Sequence, residues 1–307
     1  MGGDEINLSE IDFLVDVLNK HPRESLRKIA ELEGIDYSRL RRLYEKYYGP
    51  DKYVSVYSLF NMTRLGFKSY IAYLSVPKSE MNIVARRMLR NPFVATVHPT
   101  FGFKIGLKSI LHIPKEQTIY IDDLLSRYSD DYEYYRVAPY PHVKMEPGEW
   151  DLSYDYARLI DIIKVDARTP VSEIARALGK SRATVNYMIK RLEELGILVG
   201  YAAIHDDKAT DRVFNGIAYD LDEGLIEEWM EKYNMLVGQI LPEGYYLEWY
   251  FNSKRVDVGE MIYKFGQYVQ KFTIDYLAGF EWENRLDYFA KRVREDGGGY
   301  RSILEDF

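Results

Sequence analysis

The chain has 307 residues, 47% of them hydrophobic, with 41 Lys and Arg against 48 Asp and Glu, a net charge of -7 and no cysteine. That length and apolar content predict about two domains with real cores, and the missing thiols exclude disulfides, thiolate metal sites and cysteine nucleophiles, as suits a reducing cytoplasm. The acidic balance excludes a polybasic coat, and the absence of an apolar run near the ~20 residues of a bilayer span predicts no membrane partner.

In chain order, Asn7-Leu8-Ser9 offers a cap, and Ile11, Leu14, Val15 and Leu18 form the apolar stripe of a first helix ended by His21-Pro22. A second helix is expected from Glu24 to Glu33, with a turn at Gly34, and a third from Tyr37 to Tyr48, stopped by Gly49-Pro50. The rhythm then changes. Ser69 to Val76 reads as a strand, Ser79 to Arg90 as a helix, and Phe93 to His98 and Phe103 to Ile113 as strands about Gly102. Ile119 to Tyr128 reads as a helix and Tyr132 to Ala138 as a strand, giving βαββαβ.

Pro139 to Glu149 has the prolines and glycine of a surface crossing. Asp151 or Ser153 then caps a helix bearing Leu159, Ile160, Ile162 and Ile163. Val171 to Tyr201 reads as helix, tight turn, helix and strand. Ile174, Ala175, Leu178, Val185, Met188, Ile189 and Leu192 fall at three- and four-residue spacings, which leaves a polar, basic outer face on the second helix. A second βαββαβ follows as Val213 to Asp220, Leu225 to Tyr233, Leu236 to Leu241, Tyr245 to Phe251, Val256 to Tyr268 and Phe272 to Phe280. Each module is expected to fold as a four-stranded antiparallel sheet with two helices on one face. A last helix from Arg285 to Arg294 precedes a glycine run and a loosely held tail.

The halves repeat. Ile29 aligns with Ile174, Gly34 with Gly179, Leu40 with Val185 and Leu43 with Met188, an offset of about 145 residues that is domain-sized rather than solenoid-sized. The expected class is therefore α+β, with helix-turn-helix (winged-helix-like) domains at 1–52 and 147–204 and ferredoxin-like domains at 53–146 and 205–307.

A trihelical unit ending IKRLEELGIL-x-GY and followed by βαββαβ resembles the Lrp/AsnC (feast/famine) regulators of bacteria and archaea. The match lies at Ile174, Ala175, Leu178, Val185, Lys190, Arg191, Leu192, Gly196, Ile197, Gly200 and Tyr201. The first half shares the layout but reads EKYYGPDKYVSV from Glu45 in place of that ending. The resemblance implies a transcription regulator that binds double-stranded DNA, with the α+β modules serving assembly and often amino-acid sensing. Family members ordinarily carry one unit per chain and dimerise, so a tandem chain leaves open an intrachain pseudo-dimer or a homodimer. The family's effector turn corresponds to Thr100-Phe101-Gly102-Phe103 and Glu243-Gly244-Tyr245-Tyr246, and neither keeps its Gly-acidic-aromatic-acidic run.

On the second reading helix, Ser181 and Arg182 stand where base edges are met. Arg182 suits guanine O6 and N7, and Asn186 suits adenine N6 and N7. Thr184, Tyr187, Lys190 and Arg191 suit phosphates, thymine methyls or the groove wall. The first-copy counterparts are Tyr37, Ser38, Arg39, Arg41, Arg42 and Lys46. Alone, these arginines read as a solvated face paired to Glu45; the repeat turns them into a second, unlike reading head.

Five scattered histidines, no HxxxH pair and no phosphate-cradling GxxxxGK[ST] motif predict no metal, no cofactor and no enzyme. Two alternatives stay open. Lrp-like sirohaem decarboxylases pair two such units around a tetrapyrrole, which His98 and His112 would have to serve. Alternatively the chain is an adaptor that recruits basal transcription factors.

Overall fold

The computed structural model describes residues 7–49, 52–205, 210–233, 235–277, 289–296 and 298–307. The first three helices are α1 (Leu8–Lys20), α2 (Leu26–Glu33) and α3 (Tyr37–Tyr47), followed by β1 (Val54–Phe60). Next come β2 (Phe67–Ser75), α4 (Met81–Arg90), β3 (Val94–Gly102), β4 (Gly106–Pro114), α5 (Ile121–Leu125) and β5 (Tyr132–Pro139). The second half runs α6 (Tyr154–Val165), α7 (Val171–Leu178), α8 (Arg182–Glu194), β6 (Leu198–His205), β7 (Arg212–Ala218), α9 (Glu223–Lys232), β8 (Met235–Leu241), β9 (Tyr245–Phe251), α10 (Val258–Phe265) and β10 (Lys271–Tyr276), then a short α11 (Phe289–Arg292).

The helix-turn-helix turns form for local reasons. Gly34 and Gly179 close α2 and α7 in the left-handed region, at φ 65° each, a conformation a Cβ disfavours. Ser25, Asp36 and Ser181 cap α2, α3 and α8 through their side-chain oxygens. The expected helix over Ile119 to Tyr128 is shorter: a 3₁₀ turn occupies Lys115–Tyr120, and only Ile121–Leu125 is α-helical.

Strand β1 went unrecognised in the sequence, and its partner explains it. It pairs antiparallel with β6, from Val54 opposite His205 to Phe60 opposite Leu198. The helices cross over this ribbon. From α6, Ile163 O accepts from Ser58 Oγ at 2.7 Å, and beyond it Ala167 N donates to Val56 O at 2.9 Å. From α1, Asn19 Oδ1 accepts from Ala203 N at 2.7 Å and Nδ2 donates to Ala203 O at 3.1 Å. Arg168, ahead of α7, ties down the turn between α1 and α2 by donating to Pro22 O at 2.8 Å and Glu24 O at 2.7 Å. The six helices and the ribbon therefore form one packed layer.

The expected pair of separate four-stranded sheets is corrected. The other eight strands close into one barrel in the order β10-β3-β4-β2-β5-β8-β9-β7. Its seams pair β5 with β8, from Arg136 opposite Leu241 to Pro139 opposite Gly238, and β10 with β3, from Thr273 opposite Gly102 to Asp275 opposite Thr100. Gly102, whose Cβ would fall 2.3 Å from Phe272 O, permits the second seam. Closure satisfies edge strands that two open sheets would leave bare. It also buries Ile71, Tyr73, Ile217, Ile240 and Tyr246 in a common interior.

The final segment is not a loose tail. Ile303 is fully buried, Asn91 Nδ2 donates to Ile303 O at 2.8 Å, and Gln117 bridges Arg301 O at 2.9 Å and Ile303 N at 2.8 Å. Most of the helix expected over Arg285 to Arg294 lies outside the described residues; α11 is its end.

Candidate nucleic-acid interface and barrel cavity

Helix α8 turns Val185, Met188, Ile189 and Leu192 into the core. The same periodicity leaves Arg182, Thr184, Asn186, Tyr187, Lys190 and Arg191 on its exposed face. Ser181 caps the helix: its Oγ accepts from Thr184 N at 3.0 Å and lies 2.8 Å from Thr184 Oγ1, so both hydroxyls are already engaged. Lys190 and Arg191 sit 3.7 Å and 3.9 Å from Glu194, loose surface pairs of small energetic weight. Arg182, Asn186 and Tyr187 have no hydrogen bond or ion pair among the described residues, and Tyr187 is 63% exposed.

The counterpart face on α3 is also exposed at Tyr37, Ser38, Arg39, Arg41, Arg42 and Lys46, but much of its charge is already met. Arg41 Nε donates to Glu45 at 2.7 Å, Lys46 lies 3.6 Å from Glu10, and Arg39 lies over the Phe13 ring at 5.3 Å. The two helices share one layer; α8 presents Arg182 and Asn186 unengaged, groups of the kind that read base edges, whereas on α3 Arg39 and Arg41 are already met and Arg42 is left.

Sequence reading missed a polar cluster inside the barrel. Lys108 of β4 is 2% exposed; its Nζ donates to Asn215 Oδ1, Tyr246 Oη and Glu248 Oε1, each at 2.7 Å, and lies 2.8 Å from Asp275 Oδ2. Thr100 Oγ1 donates to Asp275 Oδ1 at 2.7 Å and Tyr250 Oη to Glu248 Oε2 at 2.9 Å. Burial alone would raise the Glu248 carboxyl, but the charge and hydrogen bond of Lys108 outweigh it and hold the carboxyl below its ordinary range. The signal was a charged residue at an inward position of each strand: Lys108 in GLKSILHIP, Glu248 in YYLEWYF and Asp275 in KFTIDY.

The two histidines singled out for a tetrapyrrole are not brought together. His98 of β3 lies opposite Lys108, four residues along β4 from His112, ~14 Å at the rise of a strand. Burial, then the Lys108 charge, lowers the His98 pKa. His112 instead lines a cavity of ≈ 700 Å³ between the helical layer and the barrel, together with His142 of the linker. Its Nδ1 lies 2.9 Å from Ser69 Oγ, and burial, reinforced by Arg292 and Lys164, keeps the ring uncharged well below its ordinary pKa. Among the described residues no cluster of three or more His, Cys, Asp or Glu could hold a metal ion, and no helix is long and apolar enough to cross a membrane.

Residues 158–199, from α6 through α8 into β6, match the winged helix-turn-helix DNA-binding family. An uncharacterized HTH-type transcriptional regulator of Pyrococcus abyssi (strain GE5 / Orsay) is 32% identical over 75 residues, 24% of this chain and 46% of that protein. The HTH-type transcriptional regulator LrpA of the same organism is 51% identical over 43 residues, 14% of this chain and 30% of its own. The chain thus spans about half the length, or less, of the curated relatives it matches. Among solved structures, the siroheme decarboxylase NirDL in co-complex with an iron-uroporphyrin III analogue superposes with a TM-score of 0.62 at 16% identity, covering 92% of this chain and 96% of that one. The chain is therefore similar to archaeal HTH regulators over its winged helix-turn-helix segment and similar in fold to a siroheme decarboxylase along nearly its whole length. That second likeness overturns the expectation, drawn from scattered histidines, that an enzymatic role is excluded.

Proposed function

We propose that the chain is a sequence-specific DNA-binding transcription regulator of Lrp/AsnC type, duplicated within one chain, in which α8 enters the major groove. The observation that carries the reading is the capped, exposed face of α8 with Arg182, Asn186 and Tyr187 unengaged, inside the segment that matches the winged helix-turn-helix family. Helix α3 is the second and weaker head, holding the backbone chiefly through Arg42, while Arg41 stays with Glu45, Lys46 beside Glu10 and Arg39 over Phe13. Because the two faces differ, one chain acts as a pseudo-dimer on an asymmetric site, and the domain divisions at 52, 146 and 204 follow the duplication. The experiment is recovery of genomic fragments on the purified chain at ~150 mM salt, where non-specific binding is weak. Enrichment of a shared asymmetric motif is the expected result; enrichment that tracks fragment length alone contradicts the reading.

A second reading, an enzyme acting on a tetrapyrrole, is favoured by the fold likeness and by the cavity that holds an uncharged His112 with His142 on its wall. His112 would be the residue that holds the metal of such a group, since its Nδ1 lies against Ser69 Oγ at 2.9 Å and Nε2 is the remaining ring nitrogen. His98 has no part in it. A Soret band on the purified protein, or one that develops with added haemin and is lost in His112→Ala, is expected of this reading; no band under either condition removes it.

A further inference from the structure

The cavity also has a polarity of its own. Its wall joins Phe60, Met62 and Val199, from the ribbon of the helical layer, to Ile71, Ile110 and Val137 of the barrel. Three charged residues border it: Lys68, half-buried, Arg136, exposed at the rim, and Glu248, buried. Glu248 is already saturated by Lys108, Tyr246 and Tyr250. Lys68 and Arg136 have no carboxylate partner among the described residues. An apolar space bordered by two unmatched cations and a neutralised acid favours an apolar molecule with an anionic end.

From this arrangement we infer that the cavity is a binding site for a hydrophobic carboxylic acid, with its apolar body between barrel and helical layer and its carboxylate held at Lys68 and Arg136. A cation would face two like charges, and a neutral molecule would gain nothing from either. The position adds a consequence. Val199 belongs to β6, which leaves α8 within four residues, and β6 pairs with β1 across the layer that holds both helix-turn-helix turns. An acid seated there touches the strand that sets α8 against the barrel, so occupancy alters DNA affinity. That coupling rests on the DNA-binding reading; the binding itself does not.

The probe is decanoate, titrated calorimetrically into the full chain against decyltrimethylammonium and decanol. Decanoate is expected to bind at least ~10-fold more tightly than either, the size of one charge-assisted contact. The double variant Lys68→Gln, Arg136→Gln should remove that advantage without changing the thermal melt. Ile110→Trp should block all three ligands by filling the space; Val143→Trp, at a linker residue 72% exposed, serves the same purpose if the change at half-buried Ile110 unfolds the protein. Equal affinity for the three ligands, or a decanoate preference that survives loss of both cations, overturns the inference. So does a stoichiometric Soret band on the purified protein that decanoate fails to displace, since the space then belongs to a tetrapyrrole. If decanoate binds as expected while no DNA sequence is enriched, the site stands and the regulator reading falls.

Discussion

Lys108→Met is expected to destabilise the barrel by ~3–5 kcal/mol, because it leaves buried carboxylates without their counter-charge rather than removing a weak surface pair. Methionine matches the lysine stem in length, so the loss reports electrostatics more than a cavity. The measurement is denaturant unfolding, where the midpoint should fall with little change in slope. The pH dependence gives the sign. In the wild type Glu248 sits below its ordinary range; its contribution is present above the unfolded value and is lost as pH falls through the folded one. Without Lys108 the hydrogen bonds from Tyr246 and Tyr250 remain, but burial, the largest influence, is no longer offset by a charge and raises the Glu248 carboxyl, so the variant gains stability relative to wild type as pH falls toward 5. A deficit that stays constant from pH 8 to 5 would mean the cluster does not hold the barrel electrostatically. Adding Glu248→Gln and Asp275→Asn should restore much of the loss, a coupling that a double-mutant cycle reads directly.

The second large effect concerns DNA. Arg182 and Asn186 are one helical turn apart at the start of α8, so both project from the end that would enter a major groove on the DNA-binding reading. Each bidentate pairing is worth ~1–3 kcal/mol of discrimination against a wrong base. Arg182→Ala and Asn186→Ala together are therefore expected to erase ~2–6 kcal/mol of specificity while leaving the phosphate-driven affinity largely in place. Changes at Arg42 or Lys46 should do the reverse, weakening binding evenly across sequences and flattening its salt dependence.

How much of this was legible depends on range. The helix-turn-helix at α7 and α8 stood in the sequence because its causes are local: a 3.6-residue apolar period, a serine cap and a glycine at a left-handed position. The strands of both modules were legible by alternation for the same reason. What lay hidden was set by tertiary pairing. Val54 to Phe60 declares itself as a strand only opposite Leu198 to His205, some 145 residues away. Barrel closure depends on one seam of four residue pairs and one of three, and on charges that look solvated when read singly. Lys108 and Glu248 would pass for surface residues until the inward face is known, and His98 and His112 would pass for a pair until β4 separates them. The α3 arginines were the converse case: the repeat promoted them to a reading head, and Glu45, Glu10 and Phe13 turn out to hold three of the basic side chains.

Sequence reading by α8 is tested most directly by a gel-shift titration. The wild type and the Arg182→Ala, Asn186→Ala variant are each bound to an enriched genomic fragment and to a scrambled fragment of equal length. The expected result is a wild-type preference for the enriched fragment that collapses in the variant, with both proteins binding the scrambled fragment alike. A variant that keeps the full preference would contradict the account.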